Sequence, residues 1–213
     1  MSNCQPDKKY YEQARPEIAR LIVGQPKAIL DVGCASGFFK SNVSWACDYQ
    51  GVEPVAEAAK DARDKGVKVY EGFYQDVAGE IPQGHFDLIV CNDVIEHVAD
   101  PWAFLESLKT KLMPGGTLIG SLPNVRYLLN LRDLLVRKDW HYIEAGVLDR
   151  THLRFFTLKS ARRLFEECGF EVEYLAPSGP DRFRTAKKIL APFFFPIGTD
   201  TLYMQMAFRL RVK

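Results

Sequence analysis

Two carboxylates and two glycines in the first sixty residues are spaced as a ligand site needs them. The turn Asp31-Val32-Gly33-Cys34-Ala35-Ser36-Gly37 overlaps a short apolar run, Lys27–Gly33, that reads as a buried parallel strand. In an open parallel sheet, ligands bind beyond the carboxyl ends of the strands, where the winding direction switches. Gly33 there lets the chain turn tightly and brings a ligand close to the backbone, while Gly37 starts the next helix with exposed N–H groups. The spacing is G-x-x-x-G, not the G-x-G-x-x-G of dinucleotide turns, and Asp31 directly before it suits amino or hydroxyl donors better than a pyrophosphate. Glu53, 22 residues after Asp31, ends the next apolar run, where one carboxylate accepts from both hydroxyls of a ribose.

Four histidines offer bases near neutral pH: His85, His97, His141 and His152. His85 reads as a turn residue before a strand and His141 as a surface residue. His97, in Asn92-Asp93-Val94-Ile95-Glu96-His97, reads either as a base or acceptor contact or as a structural histidine fixing the loop before Pro101. His152 sits in Asp149-Arg150-Thr151-His152-Leu153-Arg154-Phe155-Phe156. There it serves as a base, with Arg150 and Arg154 holding an anionic acceptor, or joins a backbone network ahead of Thr157, an expected N-cap. Asp93, Glu96 and His97, or Asp149 and His152, superficially suggest a metal site. No third ligand stands at fixed spacing, so no metal is expected.

These groups need strands alternating with helices to position them, and the pattern supplies both. After an N-terminal helical segment, Tyr10–Val23, broken or started at Pro16, a helix is expected over Gly37–Trp45. A strand over Tyr49–Glu53, a helix over Val55–Lys65 and a strand over Val67–Tyr70 follow, then a turn-rich stretch and a strand over Phe86–Cys91. A helix from Pro101 through Leu112 leads past Pro114-Gly115-Gly116 to a strand over Thr117–Leu122. This alternation implies an α/β, doubly wound, mostly parallel seven-stranded sheet. Asn124–Arg150 reads as helical and as a lid inserted over the sheet. A helix over Leu158–Cys168, a strand over Glu171–Leu175 and an antiparallel or edge strand over Tyr203–Val212 close the pattern.

At 213 residues the chain is expected to form one domain, and 47% hydrophobic with 26% charged residues excludes wholesale disorder. A net charge of +1 makes a general nucleic-acid coat protein improbable, and no nucleic-acid partner is expected. The total conceals a polarity: residues 1–120 carry −5 and residues 121–213 carry +6. Five scattered cysteines without a C-x-x-C pair fit neither a disulfide framework nor a zinc cage, and fit a reducing, cytoplasmic setting. No signal-peptide core or transmembrane run is present in the sequence. Ala186–Pro196 is short and broken by proline, and is expected to pack against the fold, with peripheral lipid contact as its alternative.

ILDVGCASGFF with GVEP, then FDLIVCNDVIEHVADP, then LMPGGTLIGSLPN resemble the successive motifs of class I S-adenosylmethionine-dependent methyltransferases, in their order and spacing. The EHV segment is similar to ubiquinone-biosynthesis O-methyltransferases, and DRTHLRFFTLKSARRLFEECGFEVE to methyltransferases found alongside glycan biosynthesis. The resemblance implies a Rossmann-like fold and S-adenosylmethionine as cofactor, with S-adenosylhomocysteine as product. Asp31, Gly33, Cys34 and Gly37 would surround the methionine portion, Glu53 would bind the ribose, and Pro54 would lie beside the adenine. Asp76 would meet the adenine amino group and Asn92 would line the site. Tyr11 and Arg15 would close over the cofactor, Arg15 facing the methionine carboxylate. Where the family places a second glycine this chain has Ala35-Ser36, which an ordinary backbone conformation would tolerate. The implied organisation is a cap at 1–26, a cofactor-binding core at 27–122, a lid and acceptor insertion at 123–156, and the rest of the sheet at 157–213. The implied function is methyl transfer to a small-molecule or glycan-type acceptor at oxygen, the acceptor bearing anionic groups. A nicotinamide dehydrogenase and a cofactor-binding regulatory module without turnover are the competing readings.

Overall fold

The structure is a computed structural model that describes residues 14–179 and 198–213. Among the described residues, seven strands form one sheet in the order β3-β2-β1-β4-β5-β7-β6. They are β1 Ala28–Val32, β2 Asp48–Glu53, β3 Lys68–Glu71, β4 Phe86–Asn92, β5 Leu112–Pro123, β6 Phe170–Ser178 and β7 Gln205–Val212. β1 runs parallel to β2 and β4, and β7 runs antiparallel to both β5 and β6. Winding therefore reverses between β1 and β4, which puts the crevice of a doubly wound sheet beyond their carboxyl ends. β1 is buried along its whole length, as a central strand covered on both faces must be.

The helices follow from local chemistry. Ala56–Asp64 (α1) turns Ala58, Ala59 and Ala62 inward, small side chains that let it lie close to the sheet. Pro101–Lys111 (α2) begins with proline at its first turn, and the Asp100 side chain accepts from the Ala103 N–H at 3.1 Å. Leu158–Glu167 (α3) opens on a reciprocal capping box between Thr157 and Ser160, buries Ala161, Leu164 and Phe165, and is followed by Gly169 at φ 79°. Two apolar clusters result. The larger joins Phe86, Phe104, Phe165 and Phe208; the smaller joins Ile18, Ile29, Phe39 and Tyr49.

Two expectations need correction. Asn124–Arg150 is not one helix: it forms a five-residue turn of helix, Leu128–Arg132, a π turn, Asp133–Arg137, and then irregular chain with a bridge between Ile143 and Asp149. Leu134, Leu135 and Val136 are exposed, so the leucine spacing that suggests a helix has no core to face. Gly37–Trp45 likewise shortens to a single 3-10 turn, Phe38–Asn42. Tyr11 and Ala186–Pro196 lie outside the described residues. Among the described residues, no helix is long and apolar enough to cross a membrane.

Candidate active site

Strand register assembles the first half of the site. Val52, Val32 and Cys91 pair across β2, β1 and β4, so Glu53, Gly33 and Asn92 follow at one level at the carboxyl end of the sheet. Asp31 lies two residues below that level, buried, and its Oδ2 accepts from the Tyr49 hydroxyl at 2.9 Å. Burial, opposed by the Tyr49 bond and reinforced by nearby Glu53, pushes its carboxyl up to about 7. Glu53 is buried too, which raises its pKa, while the N–H groups of Ala35 and Val55 donate to its two oxygens at 2.9 Å each.

The glycine turn departs from expectation in three places. Ala35 has φ 48°, so the position where the family carries glycine is left-handed and not ordinary, a conformation that costs an L-residue roughly 1–2 kcal/mol. Its bond to Glu53 holds it there. Gly37 donates its N–H to the Cys34 carbonyl at 2.9 Å, and a β-carbon on it would meet the Ala62 backbone at 3.1 Å, so its openness serves packing against α1. The Cys34 side chain turns inward, where its Sγ occupies the space a Gly51 β-carbon would need, and burial raises its thiol pKa. Gly33 makes the tight turn: φ is 72°, and a β-carbon would lie 2.7 Å from a Val94 methyl.

Beyond β4, Asn92 keeps a buried side-chain oxygen with no hydrogen-bond partner. Asp93, at φ 52°, accepts from the Ser121 hydroxyl at 2.8 Å, from Gln205 at 3.1 Å, and from the Arg15 guanidinium. Arg15 also donates to Ser121 at 2.8 Å, Gln205 at 3.1 Å and Glu17 at 2.7 Å. Pro54 and Asp76 are exposed near the ends of β2 and β3, Asp76 within the short helix Tyr74–Val77.

The second half of the site joins chain segments far apart in sequence. The backbone carbonyl of Glu96 accepts from the N–H groups of Leu153 and Arg154 at 2.8 and 3.0 Å, which stitches the end of the inserted segment to the turn after β4. This brings the rings of His97 and His152 to 4.8 Å between centroids, edge to face. His97 Nδ1 stands 3.2 Å from the Thr151 carbonyl and His152 Nδ1 stands 3.0 Å from the Val147 carbonyl. Burial lowers the His97 pKa, and the neighbouring His152 lowers it further. Glu96 lies beneath them, fully buried, its pKa raised by burial. Sequence reasoning weighed Glu96 only beside Asp93 and His97 as a superficial metal ligand, because a Glu-His pair after a strand gives no measure of burial.

The arginines expected to hold an acceptor are exposed. Arg150 pairs with Glu144, and Arg154 donates to the Ala99 carbonyl. His85 pairs with Asp48 at 2.9 Å at the opposite, amino end of β4, and His141 is exposed, both as expected.

Residues 7–175 match the family model for a methyltransferase domain. Curated relatives include ubiquinone biosynthesis O-methyltransferases of Azotobacter vinelandii and Actinobacillus pleuropneumoniae, each 32% identical over 46% of this chain. The chain spans about half the length of these relatives, 45% and 46% respectively. Among solved structures, an S-adenosylmethionine-dependent methyltransferase from Mesorhizobium loti superposes with a TM-score of 0.65 at 17% identity, covering 93% of this chain and 98% of that one. A Thermotoga maritima methyltransferase described as a possible histamine N-methyltransferase gives 0.64 at 20% identity, covering 92% and 87%. With the sheet order, the acidic first-strand turn and a family match over most of its length, the chain belongs to the class I S-adenosylmethionine-dependent methyltransferases.

Proposed function

We propose that this protein transfers a methyl group from S-adenosylmethionine to a hydroxyl oxygen of a small-molecule or glycan-type acceptor. The observation that carries this reading is the set of acceptors at the carboxyl ends of three adjacent strands: Asp31, Glu53 and the unpartnered Asn92 oxygen. A ligand with an ammonium, ribose hydroxyls and a sulfonium supplies the donors and positive charge that these groups lack. When bound, S-adenosylmethionine provides an electrophilic methyl group.

Glu53 would take the ribose hydroxyls with the lone pairs left beside its two backbone bonds. Asp31 and the Gly33 turn would hold the methionine end. Exposed Pro54 and Asp76 stand where an adenine would extend, with Asp76 meeting its amino group. Arg15 would have to release Asp93 or Gln205 to reach a carboxylate, so its network doubles as a latch for the closed site. Proton removal from the acceptor falls to the His97 and His152 side, and His97, held neutral, is ready for it. Arg150 and Arg154 at the rim support an anionic acceptor. The oxygen preference draws on the named function of the curated relatives.

The test is calorimetry with S-adenosylhomocysteine against a nicotinamide dinucleotide, followed by labelled S-adenosylmethionine with a panel of hydroxylated acceptors. Binding of the first ligand alone, with label transferred to oxygen, is the expected result. Label transfer to none of the panel with intact binding would favour the regulatory module. His97→Ala is expected to keep S-adenosylhomocysteine affinity and to lower turnover at least 100-fold. For an identified anionic acceptor, Arg154→Ala is expected to raise its KM about tenfold, and an unchanged KM removes Arg154 from the site.

A further inference from the structure

The inserted segment sets a row of aromatic rings beside the histidine pair. His97 and His152 meet at 4.8 Å between centroids, His152 and Phe155 at 6.4 Å, and Phe155 in turn meets Trp140 at 5.3 Å and Tyr142 at 6.4 Å. Backbone bonds fix this row. The Val125 N–H donates to the carbonyl of buried Phe156 at 2.9 Å, and Phe155 is left half-buried beside it. The N–H groups of Ile143 and Arg150 donate to the Leu148 and Ile143 carbonyls at 2.9 and 3.0 Å, which closes the loop that follows Tyr142. Tyr142 stays 45% exposed, and Ile143 and Leu153 are exposed as well. Apolar surface held open beside a candidate base marks a place for a ligand. The ring angles decide its shape. None of these four pairs is parallel, the interplanar angles being 70°, 68°, 80° and 48°, so they form no slot of two facing rings to grip a flat aromatic acceptor. A puckered ring suits angled, single-faced walls, because its weakly positive C–H groups meet the negative faces of the aromatic rings. Hydroxyls around its edge need both donors and acceptors, and Arg150 with Glu144 supplies both as an exposed ion pair on the same loop.

We propose that the acceptor is a sugar, whose ring stacks on the aromatic row of Trp140, Tyr142 and Phe155 while one of its hydroxyls reaches His97. This rests on the methyl-transfer reading above and names the acceptor of that same site. Nδ1 of His97 faces the Thr151 carbonyl, which only accepts, so the neutral ring carries its hydrogen there and its lone pair on Nε2. His97 Nε2 takes the hydroxyl proton, the sugar oxygen forms the bond to the methyl carbon, and the electron pair of the broken carbon–sulfur bond stays on sulfur. The three aromatic residues recognise the sugar and take no part in the bond changes. Their loss is therefore felt in the acceptor KM and not in cofactor affinity.

The test is retention of the protein, loaded with S-adenosylhomocysteine, on an array of mono- and oligosaccharides, followed by label transfer from S-adenosylmethionine to the sugars that retain it. Catechol and phosphatidylglycerol vesicles are offered in parallel. At least one sugar is expected to retain the protein and take the label. Trp140→Ala and Tyr142→Ala are each expected to raise its KM about tenfold with kcat little changed, the loss of one stacked ring. Tyr142→Phe, which keeps the ring, is expected to hold the wild-type KM, as is Trp102→Ala in the first turn of α2, where the indole donates to Glu167. S-adenosylhomocysteine affinity, measured on every variant, shows that each is folded. Retention by no sugar, or a sugar KM that both folded alanine variants leave unchanged, overturns the proposal, as does label transfer to catechol alone or binding to the vesicles alone. Tyr142-dependent sugar binding by a protein that binds no S-adenosylhomocysteine would leave the sugar site standing and remove the methyl-transfer reading instead.

Discussion

At the scale of single residues, Asp31 is the group whose environment is most informative. Its folded pKa of about 7 lies above its ordinary 3.8, so between these values the folded chain holds a proton that the unfolded chain has lost. Stability drawn from this residue therefore falls as pH rises through that window. Affinity for a ligand bringing an ammonium to Asp31 runs the other way, since that ligand needs the ionised carboxylate. S-adenosylhomocysteine is expected to bind more tightly at pH 8 than at pH 6, with proton release below pH 7 visible in calorimetry across buffers of different ionisation heat. Asp31→Asn should cost about 10- to 100-fold in affinity, the worth of a charged hydrogen bond, and should flatten the pH profile. Ala35 yields a prediction of the opposite sign. Glycine relieves the left-handed strain at φ 48° but has a more costly unfolded state, so Ala35→Gly should stabilise by about 0.5–1 kcal/mol, read as a raised midpoint in urea. The sequence made the placement of Asp31, Gly33 and Glu53 at the strand ends legible because turn chemistry and strand ends are local. It could not disclose the direction in which Cys34 turns, because that depends on the space left by Gly51 on another strand.

At the scale of elements, strands and amphipathic helices were readable wherever burial is periodic. α3 is the clearest case, with a capping box at one end and glycine at the other. Thr157→Ala should cost about 1 kcal/mol in stability without changing cofactor affinity, a separation that thermal melts and calorimetry would resolve. Gly120, mid-way along β5, had no such local signature. A β-carbon there would lie 1.9 Å from the Cys91 carbonyl oxygen and 2.7 Å from Phe208, so both neighbouring strands would have to move. Gly120→Ala is expected to abolish soluble folded protein, and a cooperative melt near the wild-type temperature would refute the register between β4, β5 and β7. The inserted segment was misread for a related reason. Leucine spacing reports a helix only when one face finds a core, and Leu134 and Leu135 find none. Its end at His152 is fixed instead by backbone bonds to Glu96, which no periodicity announces.

At the scale of the whole molecule, the near-zero charge covers an acidic first part holding Asp31, Glu53 and Glu96 and a basic remainder holding Arg150 and Arg154. The sheet order adds a constraint of another kind. β7 is made after β6, yet it lies between β5 and β6 and is hydrogen-bonded to both. On a ribosome, β6 has no partner strand until β7 has emerged, and the sheet remains open at β5 for that interval. Gln205, at the start of β7, also completes the hydrogen bonds around Asp93 and Arg15. A nascent chain halted before Gln205 would therefore have its glycine turn but neither the Gln205 bonds to Asp93 and Arg15 nor a joined sheet, so the turn can form before the network that surrounds Arg15.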